Sequence, residues 1–85
     1  QKVDWVFNFS SVTGKKNIGV ILLQHELVWV EIKKDMQVID KLKPDVWGSI
    51  EKLEPGEYKI MITNDNALVS EKEFVIYDSI EEQDD

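Results

Sequence analysis

The sequence predicts an all-β, antiparallel two-sheet β-sandwich of about seven strands. Three observations lead there. Apolar residues recur with period two far more often than with the helical period of about 3.6. Gly, Pro and Asn punctuate the chain at short, regular spacing. No window of helical length carries a convincing amphipathic face, although 39–42 could form a single helical turn.

The first strand is the clearest. Val3, Trp5, Phe7 and Phe9 alternate with Asp4, Val6, Asn8 and Ser10, so one face is nearly all aromatic. Residues 10–17 break the pattern with Ser, Thr, Gly and Asn and read as a loop. Two strands rich in β-branched residues follow at 18–23 and 27–33, joined through Gln24, His25 and Glu26. In the second, Val28, Val30 and Ile32 share one face, and with those in the core Trp29 looks outward. A turn at Lys34-Asp35 then leads into a short strand at 36–39. Pro44 marks 41–45 as a connection or sheet edge, because proline cannot donate to a ladder. Strand character resumes at 46–52 and stops at Glu54-Pro55-Gly56-Glu57, which has the residues of a type II turn. Tyr58, Ile60 and Ile62 form an inner row, while Lys59, Met61 and Thr63, with Glu71 and Glu73, read as solvated. Asn64-Asp65-Asn66 signals a hairpin into a last strand over 68–77. The domain is therefore expected over 1–78, with 79–85 an acidic tail or linker.

At 85 residues there is material for one core only, and 42% hydrophobic against 32% charged residues is the balance of a globular chain. The absence of cysteine removes disulfides, thiolate metal sites and cysteine nucleophiles together. The formal net charge is −7, and four of the 17 acids lie in 79–85, where there is no base. An acidic body without a Lys/Arg stripe argues against nucleic acid and against anionic membranes, both of which need cations to displace counterions. The longest apolar run, 19–23, is far short of the roughly 20 residues needed to span a bilayer, so no membrane insertion is expected.

Leu53, Pro55, Gly56, Tyr58, Phe74 and Ile76, spread over 50–76, resemble the Leu-x-Pro-Gly-x-Tyr corner and final hairpin of immunoglobulin-like and fibronectin type III-like modules of bacterial secreted and surface proteins. That resemblance implies an immunoglobulin-like sandwich in which Tyr58 packs inward with its hydroxyl near the corner backbone. It also implies a secreted or cell-surface setting. The same half is similar to carboxyl-terminal sorting domains of the type IX secretion system, with Asp35-Met36-Gln37 standing where those domains usually carry a Gly.

Nothing in the sequence composes a catalytic site. His25 is the lone histidine, and no serine sits in a nucleophile-elbow context. Asp35, Asp40, Asp45, Asp65 and Asp78 fall mostly at strand ends, where calcium could collect carboxylates, but no calcium-loop pattern is present and turn chemistry accounts for them. No cofactor is expected. The residues that stand out are three tryptophans. Trp5 belongs to the aromatic core row, whereas Trp29 and Trp47 are candidates for a ligand-binding surface, as exposed indoles stack on sugar rings. The expected function is a binding or spacer module that recognises another protein or an adjacent domain. Carbohydrate binding through Trp29 and Trp47, and a secretion or sorting role for the last hairpin, are the alternatives. A free edge on the first or last strand could also accept a partner strand.

Overall fold

The computed structural model describes residues 2–77 and is all-β, with no helix among them. Six strands form: β1 (Lys2–Asn8), β2 (Lys16–His25), β3 (Trp29–Ile39), β4 (Asp45–Glu51), β5 (Gly56–Asn64) and β6 (Ala67–Ile76). They make two antiparallel sheets, a pair β1-β4 and a four-stranded sheet ordered β3-β2-β5-β6. The acidic stretch expected as a tail, 79–85, lies outside the described residues.

Six strands stand where about seven were expected, and the reason is β3. The expected turn at Lys34-Asp35 does not occur. Lys34 pairs with Ile21 and Asp35 with Val20, inside one continuous ladder against β2. Polar residues suggest a turn when taken alone, but on an edge strand half of the side chains face solvent and charge is tolerated there. The irregularity lies nearby. Lys33 pairs with Leu22 and Glu31 with Leu23, so Ile32 is an extra, bulged residue. The β2–β3 turn is closed by the Glu26 amide donating to the Val28 carbonyl at 2.9 Å.

Two other turns follow their chemistry, whereas Gly56, expected inside a type II turn at 54–57, opens β5 with a φ of 153°. Asp65 and Asn66 take φ of 52° and 70°, two consecutive left-handed residues between the paired Asn64 and Ala67, as a two-residue hairpin requires. Asp40 accepts from the amides of Leu42 and Lys43, each at 2.9 Å, and so builds a turn rather than a helix at 39–42.

The core lies between the sheets in two clusters. Ile18, Val20, Ile39, Val46 and Ile62 form the first, with Trp5, Phe7 and Phe9 packed against it. Leu22, Tyr58 and Ile76 form the second, with Val3, Ile50, Leu53 and Phe74 around it. Tyr58 stacks on Phe74 with centroids 5.5 Å apart, and its hydroxyl donates to the Glu54 carbonyl at 2.6 Å.

Two expected faces differ. The row Lys59, Met61, Thr63 is not solvated: Thr63 is buried and Lys59 and Met61 are half-buried, while Glu71 and Glu73 are exposed. Thr63 pairs with Gly19, and its hydroxyl fills the space that a side chain there would take, since a Cβ on Gly19 would lie 2.5 Å from Oγ1. Lys59 lays its ammonium 4.4 Å from the centre of the Trp29 ring. Correspondingly, Val28, Val30 and Ile32 are exposed and Trp29 is the half-buried residue. Alternation assigns a side chain to a face but does not show how far a neighbour such as Lys59 covers it.

Candidate functional site

Two sheets in contact have four edges, and their treatment is unequal. The β3 edge carries Lys33, Lys34 and Asp35 beside the Ile32 bulge. The β6 edge carries Glu71, Lys72 and Glu73 beside a second bulge, where Val69 is the unpaired residue. Charge and bulges are how natural edges avoid further pairing. The β4 edge is closed by a side chain: the Gln37 amide donates to the Trp47 carbonyl at 2.9 Å and accepts from the Trp47 N–H at 3.4 Å, mimicking a peptide group of a missing strand.

The β1 edge carries Lys2 and Asp4 at one end but, among the described residues, no bulge and no capping side chain. Its register against β4 runs without a bulge from Lys2–Glu51 to Asn8–Asp45. The Phe9 amide donates to the Pro44 carbonyl at 3.0 Å, so odd-numbered residues turn their backbone groups toward β4. By alternation, the N–H and C=O groups of Lys2, Asp4, Val6 and Asn8 point to the open side, where no described strand meets them. Between β1 and β6 the sheets part to leave a groove of about 390 Å³, with walls that include Val3, Trp5, Phe7, Ile60, Ile62 and Phe74. The Trp5 ring also reaches over Gly48 of β4. A Cβ on Gly48 would lie 3.0 Å from its ring, so a side chain there requires the indole to shift. Lys72, Ser70 and Glu71 supply the polar rim.

The two candidate tryptophans do not share a surface. Trp47 pairs with Val6 and lies opposite in alternation to buried Val46, so it sits on the outer face of the β1-β4 pair, 68% exposed. Trp29 pairs with His25 on the outer face of the other sheet and is covered by Lys59, with the His25 ring 4.8 Å away. His25 Nδ1 in turn lies 3.3 Å from Glu57. Iodide should therefore quench chiefly Trp47. Trp47→Phe should remove most of the quenchable fluorescence and Trp29→Phe little, and equal losses would contradict this arrangement.

Around Trp47 and the equally exposed Val6, Ser49 donates to Asp4 and Asn8 donates to Asp45, two polar pairs bracketing an apolar centre. No three His, Asp or Glu side chains converge on a metal-sized site among the described residues. Asp40 and Asp45 are engaged in the turn and with Asn8. No helix among the described residues is long and apolar enough to cross a membrane. The groove was the feature hardest to read in sequence; its one sequence trace is the aromatic row of the first strand. No protein-family model matches the chain, and no curated protein matches it in sequence.

Proposed function

We propose that this chain is a non-catalytic recognition module of a larger secreted or surface protein, an immunoglobulin-like β-sandwich, which binds another protein by taking an extended segment onto β1. The observation that carries this reading is the apolar groove beside an edge whose regular ladder has no bulge. Strand order supports the fold. In immunoglobulin sandwiches one sheet is ordered A-B-E-D and the other C′-C-F-G. With β1 as B and β4 as E, the sequence of the remaining strands reproduces the second sheet as β3-β2-β5-β6. The position of D is taken by the Gln37 amide, and the position of A would fall on the side of β1 that faces no described strand. The Tyr58–Glu54 hydrogen bond at the β4–β5 corner has the form of a tyrosine corner. Strand addition joins main-chain hydrogen bonds for affinity with alternate side chains in pockets for specificity.

Titration of the isotope-labelled domain with a peptide of alternating Thr and Val, as long as β1, tests this. Shifts are expected at the amides of Lys2, Asp4, Val6 and Asn8. Val6→Pro removes a donor that faces the open side and leaves the β1-β4 ladder its own donors, so unfolding should stay cooperative while binding is lost. Undiminished binding by Val6→Pro would sink the proposal.

A second reading is favoured by one observation, the exposed Trp47 between its two polar pairs: a single-tryptophan platform for a sugar ring. Protection of Trp47 from iodide by a soluble glycan would support it, and no protection across a glycan panel would remove it.

A further inference from the structure

On the outer face of the four-stranded sheet, away from the β1 groove, one row of residues has no side chain at its centre. Gly19 on β2 pairs with Met36 of β3 on one side and with Thr63 of β5 on the other. Its two neighbours lean into the space that this leaves. Around the point where a Cβ on Gly19 would lie, the Thr63 hydroxyl oxygen is at 2.5 Å and the Met36 sulfur at 3.6 Å. The thioether thus lies across the glycine toward the hydroxyl. Gly19 and Thr63 are both buried, although they sit on the face opposite to the core residues Ile18, Val20 and Ile62.

Met36 itself is open to solvent. It is 60% exposed and stands on the edge strand β3, where its neighbours in alternation, Lys34 and Val38, are exposed as well. Met61, the other methionine of the chain, is half-buried on the central strand β5, between Ile21 of β2 and Glu71 of β6. Peroxide must reach a sulfur lone pair to oxidise it, so access separates the two residues. Oxidation turns a flexible apolar side chain into a polar sulfoxide, which ordinarily disrupts the contacts around it. At Met36 the added oxygen arrives where a hydroxyl donor already converges.

We propose that Met36 is an oxidation site for hydrogen peroxide, and that the Thr63 hydroxyl donates a hydrogen bond to the sulfoxide formed there, so that the oxidised domain keeps its fold. A lone pair on Sδ attacks one peroxide oxygen and the O–O bond breaks. The hydroxide that leaves takes the proton from the oxygen now bound to sulfur and departs as water. Sulfur loses two electrons and the peroxide gains them. The unbranched methionine side chain has the torsional freedom to turn the new oxygen down toward the sheet, and a hydroxyl rotates to donate to an acceptor beside it. The same oxygen on half-buried Met61 would be set against the apolar Ile21.

Dilute hydrogen peroxide followed by peptide mapping in a mass spectrometer tests the site. Met36 should gain its oxygen several-fold faster than Met61, and equal rates, or Met61 reacting first, overturn the assignment. The urea midpoint tests the hydrogen bond. Wild type should unfold at the same midpoint before and after oxidation of Met36, whereas Thr63→Val, which keeps the shape and removes the donor, should lose midpoint only in its oxidised form. A wild type that falls as far as Thr63→Val overturns the role of Thr63. A second readout leaves Thr63 in place: peroxide should move its Cβ resonance and leave that of Thr13 still, and Met36→Leu should abolish the shift. A Thr63 resonance indifferent to peroxide, or one that still moves in Met36→Leu, overturns the contact.

Discussion

Ile18→Ala should lower the unfolding free energy by about 2–5 kcal/mol, measured as a shift of the urea midpoint at constant slope. Ile18 is fully buried and belongs to the cluster that joins β2, β3 and β5 to Val46 of the other sheet. Truncation leaves a cavity between two sheets that share no hydrogen-bonded ladder, so nothing else at that level can close it. Ile18→Val should cost only about 0.5–1.5 kcal/mol, because one methylene is removed. A small domain is stable by only a few times such amounts, and the alanine variant should be partly unfolded at physiological temperature. An alanine variant no weaker than the valine one would mean that the sheets do not depend on this contact.

Tyr58 carries the second large effect, in two separable parts. Tyr58→Ala removes a ring that is 2% exposed and stacked on Phe74, and should cost about 3–5 kcal/mol, as for other buried aromatics. Tyr58→Phe keeps the ring and removes only the hydrogen bond to the Glu54 carbonyl, about 0.5–1.5 kcal/mol. The hydroxyl also makes stability depend on alkaline pH. Burial raises its pKa above the ordinary value near 10, and the Glu54 carboxylate adds to the rise. The unfolded chain therefore loses this proton first. The contribution is complete below the unfolded value and disappears as pH climbs through the folded one. Above pH 10 the wild type should lose stability more steeply than Tyr58→Phe, with equal slopes as the outcome that contradicts the assignment.

The first strand could be read almost residue by residue. Four aromatic and aliphatic residues at period two leave no other amphipathic assignment, and the row Val3, Trp5, Phe7 does face the groove and core. The hairpin at Asp65-Asn66 was equally legible, since few residues other than Gly, Asn and Asp take two left-handed conformations in succession. Lys34-Asp35 misled because a charged pair on a sheet edge and a charged pair in a turn are the same letters. Trp29 and Trp47 could be singled out as a pair but not separated, because alternation within a strand says nothing about which sheet the strand joins.

What the sequence by itself determined is local: the β character, the hairpin whose backbone demands Asn or Asp, and the inner row of Tyr58, Ile60 and Ile62. Each depends on neighbours within a few positions of the chain. What only the tertiary structure decided is how the edges end. Gln37 closing the β4 edge, Thr63 filling the space over Gly19, and the open groove between β1 and β6 all join residues from strands far apart in sequence. Strand order sets those meetings, and order follows from which apolar faces bury each other best, a property of the whole chain and of no single segment.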